Sequence, residues 1–273
     1  MDKVIITVAP TGAWGQKTDC PFIPLTPSEI SQEISECADV GASIAHIHAR
    51  DEFGKESISP IIFTDIVEKT TKLNDKIILN LTTAGPPPNE NRMLHIHMLK
   101  PEMASYDCGS LNWNHKSVFI NDPPFLEALG MAMQSSGTKP EIEIFDVGMM
   151  HNALYYLQKG ILKPPLHFQF VLGVPGGMPA TVKNLIFLTE MLPENATWSA
   201  LGIGKNALPI MYAALALGAH GIRVGFEDNF YLSKGLMAHS NRELVEQAVH
   251  IVKQFNKIPA TPDDAREILS LLP

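Results

Sequence analysis

Residues 26–48 read TPSEISQEISECADVGASIAHIH, and a helical period gives way to a strand period inside them. Thr26-Pro27-Ser28-Glu29 has the form of a helix start: a threonine N-cap, a proline in the first turn, and a glutamate placed to bond back to the cap. Ile30, Ile34, Cys37 and Ala38 then recur at helical spacing, and Gly41 is suited to end the helix. Ser43–His48 follows as a short strand, and Val4–Ala9 reads as another strand before the helix. Strand, helix, strand is the unit from which parallel sheets are made.

The unit repeats along the chain. Strand-like runs recur at Lys76–Thr82, Met103–Cys108, Glu141–Asp146, His167–Gly173, Thr197–Gly202 and Gly221–Phe226, making eight with the first two. Helix starts lie between or after them at Ser59-Pro60, at Ser240-Asn241-Arg242-Glu243, and at Thr261-Pro262, whose helix is expected to end near Leu272. Eight alternations without a linker or low-complexity tract predict an α/β fold, a (β/α)8 TIM barrel, as one domain over residues 1–273. An open doubly wound sheet is the rival, but Thr11-Gly12-Ala13-Trp14-Gly15 after the first strand lacks the dinucleotide glycine fingerprint.

Composition fits one such barrel. The 273 residues are 45% hydrophobic and 18% charged, which excludes intrinsic disorder. Lys and Arg number 21 against 29 Asp and Glu, a net charge of −8 with no basic patch, which argues against nucleic acid or an anionic membrane as partner. The longest charge-free apolar stretch, Asn206–Ile222, contains Pro209, Gly218 and His220 and is too short for a membrane span. Cys20, Cys37 and Cys108 are odd in number and scattered, unlike a secreted disulfide framework, so the expected location is cytoplasmic.

In a barrel, chemistry belongs at the carboxyl ends of the strands. The second strand ends His46-Ile47-His48, and residues two apart on a strand share a face, so both imidazoles enter the mouth as half of a divalent metal site or as two backbone-satisfied histidines. His95 and His97 have the same spacing in a helical stretch, where they do not share a face, and are read as surface or packing residues. The eighth strand runs into Arg223-Val224-Gly225-Phe226-Glu227-Asp228. The adjacent acids read either as an ordinary helix cap or as functional: strands eight and two both flank strand one on closure, so Glu227 can complete a His₂-carboxylate set, Asp228 is free to act as a base, and Arg223 can pair with it or hold a substrate carboxylate. Thr82, Thr83, Ser105 and Asp107 add hydroxyls and an acid. Glu141 and Glu143 share a face of strand five, and Glu143 is the better placed to support the site from behind. Gly173 and Gly176 after strand six, and Gly202 and Gly204 with Lys205 after strand seven, suit either tight turns or anion contact.

Taken together and in order, Ile44–His48, Lys100-Pro101-Glu102-Met103-Ala104, Phe170–Met178 and Arg223–Asn229 resemble the β-keto acid cleavage enzyme family over essentially the whole chain. The resemblance implies a zinc-dependent barrel that condenses a β-keto acid with acetyl-CoA, giving acetoacetate and a new acyl-CoA by a retro-Claisen route. His46, His48 and Glu227 match the family's metal ligands, Asp228 its base, Arg223 the neighbouring arginine, and Glu143 an acidic position; Thr82 and Ser105 stand at its hydroxyl positions. The expected substrate contacts are Trp14, Thr83, Gly85 and Asp107, and the expected CoA contacts Gly173, Gly176, Gly202, Gly204 and Lys205. Homotetramers are common in the family.

One position departs from the pattern. Family members acting on an amino substrate such as 3-keto-5-aminohexanoate carry a glutamate after Thr11-Gly12-Ala13, and this chain has Trp14. An indole cannot pair with an ammonium as a carboxylate does, but it can pack an aliphatic tail or lie against a quaternary ammonium, as in dehydrocarnitine. The alternative outside the family is a metal-dependent barrel hydrolase of the amidohydrolase type. That class places its His-x-His on strand one and further histidines on strands five and six, whereas here strand five offers acids and His167 begins strand six. Ligand type alone does not separate zinc from manganese or cobalt.

Overall fold

A computed structural model describes residues 2–271. Eight parallel strands follow one another around a closed barrel: β1 (Lys3–Val8), β2 (Ile44–Ile47), β3 (Ile78–Leu81), β4 (Met103–Asp107), β5 (Lys139–Ile144), β6 (His167–Leu172), β7 (Thr197–Gly202) and β8 (Gly221–Val224). Closure is made by β8 on β1, with Ile5 opposite Gly221 and Val8 opposite Val224. Helices α1 (Pro27–Asp39), α2 (Pro60–Leu73), α3 (Leu94–Leu99), α4 (Pro123–Ser136), α5 (Val147–Gln158), α6 (Val182–Thr189), α7 (Ala207–Ala216), α8 (Asn241–Gln254) and α9 (Pro262–Leu269) accompany them. The barrel expected from the alternation is the one observed. No helix among the described residues is long and apolar enough to cross a membrane.

Local chemistry sets the boundaries. Thr26 caps α1 reciprocally: its hydroxyl accepts from the Glu29 N–H at 3.2 Å and its own N–H donates to the Glu29 carboxylate at 2.9 Å. The fifth strand stops at Ile144 rather than the expected Asp146, because Asp146 caps α5 by accepting from the Met149 N–H. The eighth stops at Val224, short of the expected Phe226. Gly225 has a φ of +139° and a Cβ there would lie 2.1 Å from the Ala9 carbonyl oxygen, so the chain must turn at a glycine. The final helix ends at Leu269; Leu272, its expected end, lies outside the described residues.

Alternation along each strand divides the interior from the shell. Ala45, Ile47, Leu81, Ala104, Tyr106, Ile142, Phe168, Phe170, Ala200 and Ile222 face the helices and join the main core. The inward set begins at the amino end with Ile5, Ile44, Ile78 and Met103, which pack with Ala260, Ala265 and Leu269 into a separate apolar plug closed by α9. Two residues further along the same strands the side chains become polar. Three hairpins stand beyond the carboxyl ends: 49–57 after β2, 111–119 after β4 and 231–237 after β8.

Candidate active site

His46 and His48 point inward from the end of β2 and are both buried. Glu227 reaches them from the turn that Gly225 allows. Its N–H donates to the Ala9 carbonyl at 3.1 Å, and Gly12 leaves room for it, since a Cβ there would lie 2.5 Å from Glu227 Cγ. The Nε2 atoms of His46 and His48 lie 3.8 and 3.3 Å from the two Glu227 carboxylate oxygens. Donor atoms of these three residues fall within 4.8 Å of one another. Glu227 Oε2 is buried and has no hydrogen-bond partner among the described residues. Two imidazoles and an orphaned carboxylate oxygen form a donor set that fits a divalent ion.

Arg223 organises the acids beside this set. Its Nε and a terminal nitrogen donate to the two Asp228 oxygens at 2.9 and 3.2 Å, the other terminal nitrogen to Glu143 at 3.0 Å, and Glu227 lies 2.7 Å away. Burial works against the charged carboxylate of Glu227, but Arg223, His48 and His46 outweigh it and hold its pKa below the ordinary range. Burial also dominates at Asp228 and, with Glu227 adjacent and despite Arg223, raises its pKa to about 6. Burial and the neighbouring Asp107 push Glu143 well up. His46 is lowered by burial and by Arg223, which favours the neutral ring that a metal ligand needs.

The set opens into a cavity of about 940 Å³ at the carboxyl end of the barrel. Thr82, Gly85, Asp107, Glu143 and Trp14 line it with His48, Arg223, Glu227 and Asp228. Thr82 Oγ1 accepts from the Ala84 N–H at 3.1 Å, which leaves its own O–H free to donate. Trp14 is 62% exposed at the rim and stacks on Trp113 at 6.5 Å. Its backbone carbonyl accepts from the buried Arg50, which also bonds the Gly54 carbonyl and so ties the rim to the 49–57 hairpin.

Other expected contacts lie apart from this wall. Ser105 and Thr83 are fully buried and engage each other: the Ser105 hydroxyl accepts from the Thr83 N–H at 3.0 Å, and the Thr83 hydroxyl donates to the Ser105 carbonyl at 2.8 Å. They brace β3 against β4 and are not part of the cavity wall. The glycines of the strand-six and strand-seven loops are likewise absent from that wall, to which these loops contribute Val174, Pro175 and Ile203. Gly176 has a φ of +104°, and a Cβ there would collide with the Asn112 carbonyl at 1.9 Å, so the glycine lets this loop meet the 111–119 hairpin. Gly173 and Gly202 pack against Asn206, and the Gly204 N–H donates to the Asp228 carbonyl at 2.9 Å, anchoring the candidate base. Lys205 is exposed beside it.

His95 stacks on Phe63 at 4.3 Å and contacts the Thr82 carbonyl at 2.8 Å, whereas His97 is exposed, so neither joins the site. His167 contacts Thr197 and Ser199 near the amino end of β6, away from where a hydrolase-type metal centre would need it. On strand five Glu141 and Glu143 both have an oxygen within 4.8 Å of a His46 nitrogen, and Glu141 is the nearer. Its carboxylate lies 3.6 Å from His46 Nδ1, while Glu143 serves Arg223. Arg92 also escaped the sequence reading; it is buried in the cavity wall, donates to the Thr83 carbonyl at 2.6 Å and lies over the Phe125 ring at 4.3 Å.

The beta-keto acid cleavage enzyme family matches residues 3–271. The 3-keto-5-aminohexanoate cleavage enzyme of Fusobacterium nucleatum is 39% identical over 272 residues, 99% of each chain. The 3-oxoadipate:acetyl-CoA acetyltransferase of Cupriavidus necator is 34% identical over 98% of this chain and 94% of that one. The 3-dehydrocarnitine:acetyl-CoA trimethylamine transferase of Rhizobium meliloti is 30% identical over 98% and 97%. Among solved structures, ObcA in complex with a C4-CoA adduct and oxalate has a TM-score of 0.83 at 21% identity, over 92% of this chain and 68% of that one, a likeness of fold. By full-length similarity, the chain belongs to the beta-keto acid cleavage enzyme family.

Proposed function

We propose that the protein is an acetyl-CoA-dependent, metal-dependent acyltransferase that converts a β-keto acid and acetyl-CoA into acetoacetate and a new acyl-CoA. The observation that carries this reading is that His48, Glu227, Asp228 and Arg223 line one cavity, with His46 buried against Glu227 beneath it. A divalent ion held by His46, His48 and Glu227, which we assign as zinc, would supply Lewis-acid polarisation of the keto acid oxygens.

The chain's own residues do the rest. Asp228 removes a proton from the carbon between ketone and carboxylate, and a pKa near 6 suits a base that must both take and return it. The resulting carbanion attacks the thioester carbonyl of acetyl-CoA, and CoA leaves as thiolate. The thiolate adds to the original ketone, and cleavage of the adjacent carbon–carbon bond releases acetoacetate and leaves the acyl group on CoA. Arg223, fixed by Asp228 and Glu143, would stabilise the oxygen on which negative charge grows, with the Thr82 hydroxyl at the end of β3 free to donate to it. Ser105 has no direct part in this scheme. The strand-six and strand-seven loops are our candidates for the CoA side, through Val174, Pro175 and Ile203 with Lys205 toward phosphate.

For the substrate tail, Trp14 on Trp113 favours an apolar or trimethylammonium group over a primary amine. We further read the protein as a cytoplasmic homotetramer. Exposed Val182, Ile186 and Phe187 on α6 are consistent with a covered surface, and a solution mass of one chain overturns the tetramer. The activity test is purified protein with zinc and a panel of β-keto acids, with and without acetyl-CoA. Acetoacetate appearing only with acetyl-CoA is the expected result, and hydrolysis without it overturns the reading. On the same panel, preference for an amino substrate by the wild type, or no change in preference in Trp14→Glu, removes the assignment of the tail.

A further inference from the structure

Glu141 has no part in the scheme above, yet it is a carboxylate 1% exposed inside the barrel, and such a group needs partners. Arg223 gives it none; the guanidinium is taken by Asp228, Glu143 and Glu227. His167 contacts Thr197 through Nδ1 and Ser199 through Nε2. Two nitrogen-bearing groups remain. The Asn80 amide donates to Glu141 Oε2 at 2.5 Å, and His46 Nδ1 lies 3.6 Å from the same oxygen. Among the described residues, His46 Nδ1 and the other oxygen, Glu141 Oε1, are buried without a hydrogen-bond partner, so the ring nitrogen and the carboxylate both have bonding capacity to spare. The opposite nitrogen of that ring, Nε2, is turned toward Glu227.

We propose that Glu141 is a positioning residue for metal binding. It accepts from the Nδ1–H of His46, fixes the tautomer whose bare Nε2 faces Glu227, and increases the basicity of that nitrogen. Asn80 holds the carboxylate in place. Binding at Nε2 makes Nδ1–H a stronger donor, so the ligand and its support reinforce one another. Among the described residues, His48 has a carboxylate within 4 Å only at Nε2, from Glu227 at 3.3 Å, and none at Nδ1. The two histidines are therefore unequal ligands. This inference rests on the assignment of His46, His48 and Glu227 as metal ligands.

The test is zinc affinity, measured by competition with a chromophoric chelator, in the wild type, Glu141→Ala, Glu141→Gln and Asn80→Ala. Glu141→Ala is expected to bind zinc roughly 10- to 100-fold more weakly. Glu141→Gln, which keeps an acceptor without its charge, and Asn80→Ala are expected to lose less. Nitrogen NMR of the histidine rings gives an independent signature: His46 in the wild type carries its hydrogen on Nδ1, and Glu141→Ala loses that preference. Folded variants that bind zinc as tightly as the wild type, or a wild-type His46 protonated on Nε2 alone, overturn the proposal. If Glu141→Ala does not fold, Glu141→Gln decides by the same criterion. A wild type that binds no zinc overturns the metal assignment and this inference together, whereas normal wild-type binding with unchanged variants overturns this inference alone.

Discussion

At the amino end of the barrel, Ile5, Ile44, Ile78 and Met103 pack with Ala265 and Leu269 and exclude water; at the carboxyl end, the same strands present His48, Thr82 and Asp107 to an open cavity. The change happens within a few residues. On β2 the inward positions run Ile44, His46 and then His48; on β3, Ile78, Asn80 and Thr82; on β4, Met103, Ser105 and Asp107. Each strand is therefore a short gradient from stability to chemistry, and the polar middle layer supports the upper one. Damage at the two ends should differ in kind: below, the fold weakens while the site survives, and above, turnover falls out of proportion to stability.

Asp228→Asn is the sharpest probe of the upper end. It is expected to lower kcat by about 10²- to 10⁴-fold, with a melting temperature equal to or above that of the wild type because a buried acid has been neutralised. A large fall in melting temperature would erase the distinction between the ends. Arg223→Met should damage both properties, since it strands Glu143, Glu227 and Asp228 without their shared cation. The expected loss is about 3–5 kcal/mol in urea unfolding, together with loss of turnover. Ile78→Ala, in the plug, is expected to cost about 2–5 kcal/mol while kcat/KM of the folded fraction stays at the wild-type value. A selective fall in kcat/KM would show that the plug is coupled to the site.

The smallest effect is one of pH. His95 props the end of β3 from outside, and burial, only partly opposed by its contact with the Thr82 carbonyl, lowers its pKa from 6.5 to about 4. Below its ordinary pKa the unfolded chain takes up a proton that the folded chain refuses, so stability is full above pH 6.5 and declines toward pH 4. At about pH 5.5 this one group is expected to cost about 1 kcal/mol. His95→Phe should flatten that part of the stability profile, and an unchanged slope would assign it to other groups.

Much of this was legible in the chain because it is local. The capping box at Thr26, the alternation of strand and helix, and the period of two that puts His46 beside His48 all depend on neighbours in sequence. Glu227 required one topological step, the closure of β8 on β1. What could not be read depends on how strands are staggered against each other. Stagger decides that Glu141 meets His46 while Glu143 meets Arg223, and that Ser105 is turned to Thr83 instead of the cavity. The glycines after strands six and seven carried a real signal, close backbone approach, but the approach is to Asn112 and Asn206. The 111–119 hairpin had a cue in its alternating Leu111-Asn112-Trp113 and in a turn where Asn114 and His115 take positive φ.

Among the described residues that hairpin forms a strand ladder only within itself, Leu111 with Phe119 and Trp113 with Ser117, and its Asn114 N–H donates to the Pro175 carbonyl at 2.9 Å. Its residues can therefore be exchanged without unpairing a structural strand, while the floor beneath is locked by a dense set of buried ion pairs. Wall and floor are free to change at different rates. A lineage built this way can inherit one reaction and audition new substrates, and an engineer can vary the exposed positions of 111–119 while keeping Leu111 in the core and the backbone contacts of Asn112 and Asn114.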